Sequence, residues 1–208
     1  MFKKHHATNI LRRKENVYTR IGEYKDLRFL LSELIFILFF GFYIYGIIVG
    51  TFQGWNPLHF GVVALKMLIL GIATTALCTP TLYVFSALRG SNITLKQFLV
   101  LLVGMLATTA LVLLGFVPVL WFFIFTNDNN PRFIEGLHIA AMIIAFFFGF
   151  WFLQNGIRFL YEKYKADDKT THSALDVLLI WLIVFAAVAI QMYNELSPWL
   201  QIDTAFLR

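Results

Sequence analysis

Lys66 is the one ionisable residue well inside an apolar run, six residues past the start of that run at Phe60. A charged side chain at such a depth is costly unless it is paired, reaches water or serves a pathway. Three chemistries suit it: an ammonium carried out to the lipid headgroups on its flexible stem, a polar contact to a neighbouring helix, or a charge in a transport route. The remaining chemistry-bearing side chains are scattered. His5 and His6 stand in a polar tail and His172 in a charged loop, while His59 and His138 fall at helix ends on one side, where they offer a metal only two ligands if they meet. Cys78 is the single cysteine, so neither an internal disulfide nor a zinc-type Cys/His spacing is available. Glu33, Asp176 and Glu195 lie at run ends within reach of water, whereas a proton-coupled transporter wants a carboxylate near mid-membrane. Asp167-Asp168 reads as a solvated loop. No acid, base, nucleophile and metal ligands converge in sequence, so the expectation is a non-enzymatic protein with no catalytic residue, no metal and no cofactor.

The elements that position these residues are set by composition. Of 208 residues, 59% are hydrophobic and 14% charged, a balance foreign to ordinary soluble domains. The apolar residues gather in five runs, about 34–52, 60–88, 95–125, 137–161 and 174–193, and a helix of roughly 20 residues crosses the hydrocarbon core. The predicted fold is therefore all-α: a polytopic integral membrane protein with five transmembrane helices over 33–208, preceded by a basic segment over 1–32. The first apolar run follows a long charged stretch and shows no small-residue cleavage site, so it is expected to stay in the protein rather than act as a signal peptide.

The basic segment holds Lys3, Lys4, Arg12, Arg13, Lys14, Arg20, Lys25 and Arg28 against Glu15, Glu23 and Asp26. Ile10, Val17, Ile21, Tyr24, Leu27 and Leu31 recur on one face of a helical pattern, which predicts an interfacial amphipathic helix lying on the membrane surface. Arg12, Arg13, Lys14, Arg20, Lys25 and Arg28 would then face anionic headgroups or a soluble partner. Of the 17 Lys and Arg residues, 14 fall on one side of a five-span layout, Arg132 and Arg208 fall on the other, and Lys66 lies within a span. The positive-inside rule then places the N-terminus in the cytoplasm and the C-terminus outside.

Within the runs, small residues recur at helical spacing: Gly46 and Gly50, Gly71 with Thr75 and Thr79, Gly104 with Thr108, and Ala141 with Ala145 and Gly149. Such stripes let membrane helices approach closely. The second and third runs make a hairpin about Asn92, and mirror symmetry brings Thr75 and Thr79 near Gly104 and Thr108. The same symmetry sets Lys66 level with Pro118, whose missing N–H leaves the Leu114 carbonyl free to accept from the ammonium. Pro80 and Pro118 are the expected kink positions. Thr94 and Gln97 have capping-box spacing at the start of the third run.

The hairpin carries a resemblance. Pro80, the stretch Leu82-Tyr83-Val84-Phe85-Ser86-Ala87-Leu88, the turn Arg89-Gly90-Ser91, Thr94 and Gln97, and then Gly104 and Pro118 resemble the Yip family of five-span, small-GTPase-interacting membrane proteins and their prokaryotic relatives. This chain has Arg89 where many relatives have a further glycine, and Gly104-Met105 where they have Gly-Tyr. The resemblance implies a non-enzymatic trafficking or scaffold role through contacts with other membrane proteins or with further copies of the chain. The expected partners are thus membrane lipids and membrane proteins, with no nucleic acid. Short loops favour a bacterial inner membrane, with a eukaryotic endomembrane as the alternative. A small transporter or channel component, lined by Thr74, Thr75, Thr79, Thr108 and Thr109, is the competing reading.

Overall fold

A computed structural model describes residues 14–23, 27–51, 57–88, 94–126, 131–163, 178 and 181–192. The described residues are helical with no strand: α1 (Lys14–Gly22), α2 (Leu27–Thr51), α3 (Pro57–Leu88), α4 (Leu95–Thr126), α5 (Pro131–Lys163) and α6 (Trp181–Met192). Four of them, α2 to α5, are long and apolar enough to cross a membrane. The chain is an integral membrane protein on this ground. The described part of the fifth apolar run is α6, which is shorter than a crossing.

Helix starts follow local chemistry. Pro57 and Pro131 open α3 and α5, where a residue without an N–H takes the place of a donor that would lack an intrahelical acceptor anyway. At α4, the Gln97 side-chain oxygen accepts the Thr94 amide at 3.1 Å, which is one half of a capping box. The expected single helix through Ile10 to Leu31 is instead divided. The chain turns at Glu23 after Gly22, a poor helix former, and Arg28, Leu27 and Leu31 belong to the first spanning helix. Ile10, Tyr24, Arg12, Arg13 and Lys25 lie outside the described residues, as do Arg89, Gly90 and Ser91 of the hairpin turn.

Glycines decide which helices touch. A Cβ at Gly46 would collide with the Ala64 backbone, and one at Gly50 would stand 3.0 Å from the Phe60 Cα, so α2 and α3 form the tight antiparallel pair. On its other side α2 meets α4, with Ala110 Cβ 2.8 Å from where a Gly41 Cβ would be. α4 in turn packs on α5: a Gly104 Cβ would lie 2.6 Å from the Phe152 ring, and Gly149 closes on Thr109 and Met105. Ala141 and Ala145 are buried on the same stripe as Gly149. The core of the bundle runs along α4, whose Leu101, Met105, Ala107, Ala110 and Leu113 have no exposed surface.

The hairpin geometry expected from mirror symmetry is therefore corrected. α3 and α4 barely touch, and α2 is their common neighbour. A Cβ at Gly71 would meet the Phe42 ring of α2 at 3.4 Å rather than a surface of α4. Gly104 faces α5, and Thr108 turns its hydroxyl onto the Gly104 carbonyl of its own helix at 2.8 Å. Sequence symmetry about a turn sets depth but not adjacency, and close approach went to the helices with facing glycines. Lys66 is half-buried and forms no hydrogen bond with Leu114 or with any other described residue, and Pro118 is exposed.

Candidate functional site

The most elaborate polar arrangement sits where α1 crosses the adjoining ends of α4 and α5. Val17, Tyr18 and Ile21 fall on one side of α1 and are almost completely buried. Tyr18 lies between two rings of α5, with centroids 5.1 Å from Phe152 and 5.8 Å from Phe159. Its hydroxyl donates to the Phe152 carbonyl at 2.9 Å. Gly156 makes the notch: a Cβ there would be 3.0 Å from the Tyr18 ring and 2.5 Å from Leu101. Burial pushes the Tyr18 phenol above its ordinary pKa, which keeps the hydroxyl protonated as a donor.

Gln97 completes the cradle. It is fully buried, and its Nε2 donates to the Ile21 carbonyl at 3.2 Å while its Oε1 accepts from the Thr94 amide and the Thr94 hydroxyl, both at 3.1 Å. One side chain therefore caps the start of α4 and holds the end of α1, 76 residues away in sequence. The sequence marked Gln97 only as a local cap. The apolar face of α1 is taken up by protein instead of being free to lie on lipid, and Arg20 is half-buried at its edge with Arg28 exposed just beyond. Lys14 opens the helix.

On the far side of the bundle, the Tyr45 hydroxyl and His138 Nδ1 are hydrogen-bonded at 2.9 Å, and their rings stack 5.7 Å apart at 24°. Tyr45 has no exposed surface. The pair ties α2 to α5 about 10 Å inside the helix ends, so His138 is a packing and hydrogen-bonding residue, not an isolated interfacial one. No group of three or more possible metal ligands occurs among the described residues, and the side chain of His59 lies outside them.

A third contact joins α6 to α3. Trp181 Nε1 donates to the Cys78 carbonyl at 2.9 Å, which also accepts from the Thr81 hydroxyl at 2.7 Å. These donors gather two residues before Pro80, the exposed proline inside α3. Comparison with known proteins adds no relative: no known family, curated protein or solved structure matches the chain. The five threonines expected to line a pore divide into two groups. Thr79, Thr108 and Thr109 bond carbonyls of their own helices, whereas the hydroxyls of Thr74 and Thr75 are buried without a hydrogen-bond partner.

Proposed function

We propose that this chain is a non-enzymatic membrane scaffold or assembly and trafficking factor, acting through protein and lipid contacts. The observation that supports it best is the α1 cradle. Tyr18, Ile21 and Gln97 fix α1 at one end of the spanning helices, so that Arg20 of α1 and Arg28 at the start of α2 are held at constant places for an anionic surface or partner. The apolar packing of α4 against both α2 and α5 suits a rigid support. Kinship with the Yip family belongs to this proposal and rests on the hairpin residues, Pro80 to Gln97 with Gly104 and Pro118. So do the fifth crossing, which rests on the apolar run 174–193, and the cytoplasmic N-terminus, the external C-terminus and the bacterial inner membrane, which rest on charge distribution and loop length.

The second reading, a small transporter or channel component, draws on the Thr74 and Thr75 hydroxyls, which are polar groups inside the bundle with no protein partner. The two readings separate experimentally. Affinity purification of the full chain from native membrane should recover a stoichiometric membrane partner that is lost when Arg20 and Arg28 are changed to glutamine. Solute flux in proteoliposomes containing the chain alone, with no partner recovered from membrane, would overturn the scaffold reading.

A further inference from the structure

Lys66 is unused by any contact described above. It is half-buried on α3, has no hydrogen bond or ion pair among the described residues, and points from a flank whose neighbours Val62, Leu70 and Ala73 are half-buried too. Its depth follows from helix length. α3 and α4 have 32 residues each, about 48 Å, which exceeds a hydrocarbon core of about 30 Å by roughly 9 Å at each end when centred. Lys66 is nine residues beyond Pro57, about 13 Å along the helix, so its Cα lies some 5 Å inside the hydrocarbon on the side opposite α1. An extended lysine side chain covers that distance and delivers its ammonium to the level of the lipid phosphates.

The surface leading away from Lys66 toward mid-membrane is apolar and open. Ile69, Ala73 and Leu77 continue its row at helical spacing. Ile69 is 42% and Leu77 60% exposed, with the small Ala73 between them forming a shallow saddle. From Lys66 to Leu77 is about 16 Å, close to half the hydrocarbon thickness, the span of one acyl chain.

We propose that Lys66 binds the phosphate of an anionic phospholipid in the leaflet opposite α1, with one acyl chain lying along the Ile69, Ala73 and Leu77 row. The charge selects the occupant, because the lipid phosphate is the anion that a membrane supplies at this depth, and the row selects a chain-bearing anion over a free one. This site is separate from Arg20 and Arg28 at the other end of the bundle and does not depend on the scaffold reading.

The test uses the full chain in detergent, stripped of lipid and titrated with phosphatidylglycerol under native mass spectrometry. One lipid should bind the unaltered chain. Lys66→Met should weaken it about fivefold, the effect of one basic side chain at a membrane surface, while Lys66→Arg should retain it. Ala73→Trp should weaken it with the charge intact. Diacylglycerol with the same chains should bind no better than phosphatidylglycerol binds Lys66→Met, and inorganic phosphate should not displace the lipid. Lys66→Gln repeats the charge removal should the methionine variant fail to fold. Equal phosphatidylglycerol binding by the unaltered chain and a folded charge-removing variant would overturn the proposal, as would displacement by inorganic phosphate, which would mark a small-anion site instead.

Discussion

Replacing Gly156 by alanine should loosen α1 from the bundle while leaving α5 helical. The new Cβ would stand 3.0 Å from the Tyr18 ring and 2.5 Å from Leu101, both closely packed. Overpacking of this kind costs about 1–3 kcal/mol, and alanine returns about 1 kcal/mol in helix propensity, but that return accrues to α5 whether or not α1 is docked. The part of the clash that falls on Tyr18, taken as about 1 kcal/mol, shifts the docking equilibrium about fivefold. Docking is read from the alkylation rate of Val17→Cys in a Cys78→Ala chain, since residue 17 is 5% exposed only while α1 is in place. The rate should rise several-fold with Gly156→Ala. It should not change with Gly136→Ala, where a Cβ meets nothing within 4 Å. An unchanged rate in the Gly156 variant would show that Tyr18 does not sit in the notch.

The other expectations address separate contacts. Tyr18→Phe removes the bond to the Phe152 carbonyl and should raise the same alkylation rate by the equivalent of about 1 kcal/mol, with no rise if the hydroxyl is idle. Because burial raises the Tyr18 pKa, its contribution is fully present below about pH 10, the ordinary tyrosine value, and declines as pH climbs above it; α1 should therefore come loose at high pH in the parent chain and show no such pH step in Tyr18→Phe. A double-mutant cycle with Tyr45→Phe and His138→Phe should give a coupling of about 0.6–1.7 kcal/mol in detergent denaturation, and additive effects would remove this link between α2 and α5. Lys66→Met and Pro118→Ala should be additive in stability, given that α3 and α4 barely touch; measurable coupling would restore the direct contact.

The crossing helices were legible because their signal is a long apolar run. The observed limits 57–88 and 95–126 lie within three residues of the runs read from sequence, and α2 and α5 end within two residues of theirs but start earlier, at Leu27 and Pro131. Their partners were much less legible. A helix that is apolar all round has no polar face to show which side packs, so the choice of α2 as neighbour to both α3 and α4 is carried by Gly41, Gly46 and Gly50. A spacing rule marks such glycines without saying what they face. Gln97 and Tyr18 show the same limit. The local half of the Gln97 role follows from Thr94 three residues earlier, but its bond to Ile21 and the Tyr18 bond to Phe152 join segments whose meeting depends on the folded bundle. The Trp181 contact with the Cys78 carbonyl is equally non-local, and it shows α6 held on the bundle whatever its full length.

The arrangement of α2 between α3 and α4 is tested most directly by oxidative cross-linking of cysteine pairs in a Cys78→Ala chain in native membrane. Gly50→Cys with Val63→Cys joins α2 to α3, where a Cβ at 50 lies 3.5 Å from that of Val63, and Gly41→Cys with Ala110→Cys joins α2 to α4. Disulfides form at Cβ separations of about 3.5–4.5 Å, so both pairs should close rapidly after slight adjustment at residue 41. Thr75→Cys with Gly104→Cys, on α3 and α4, should stay open. Rapid closure of the Thr75 and Gly104 pair, with the two α2 pairs unreacted, would contradict the fold described here.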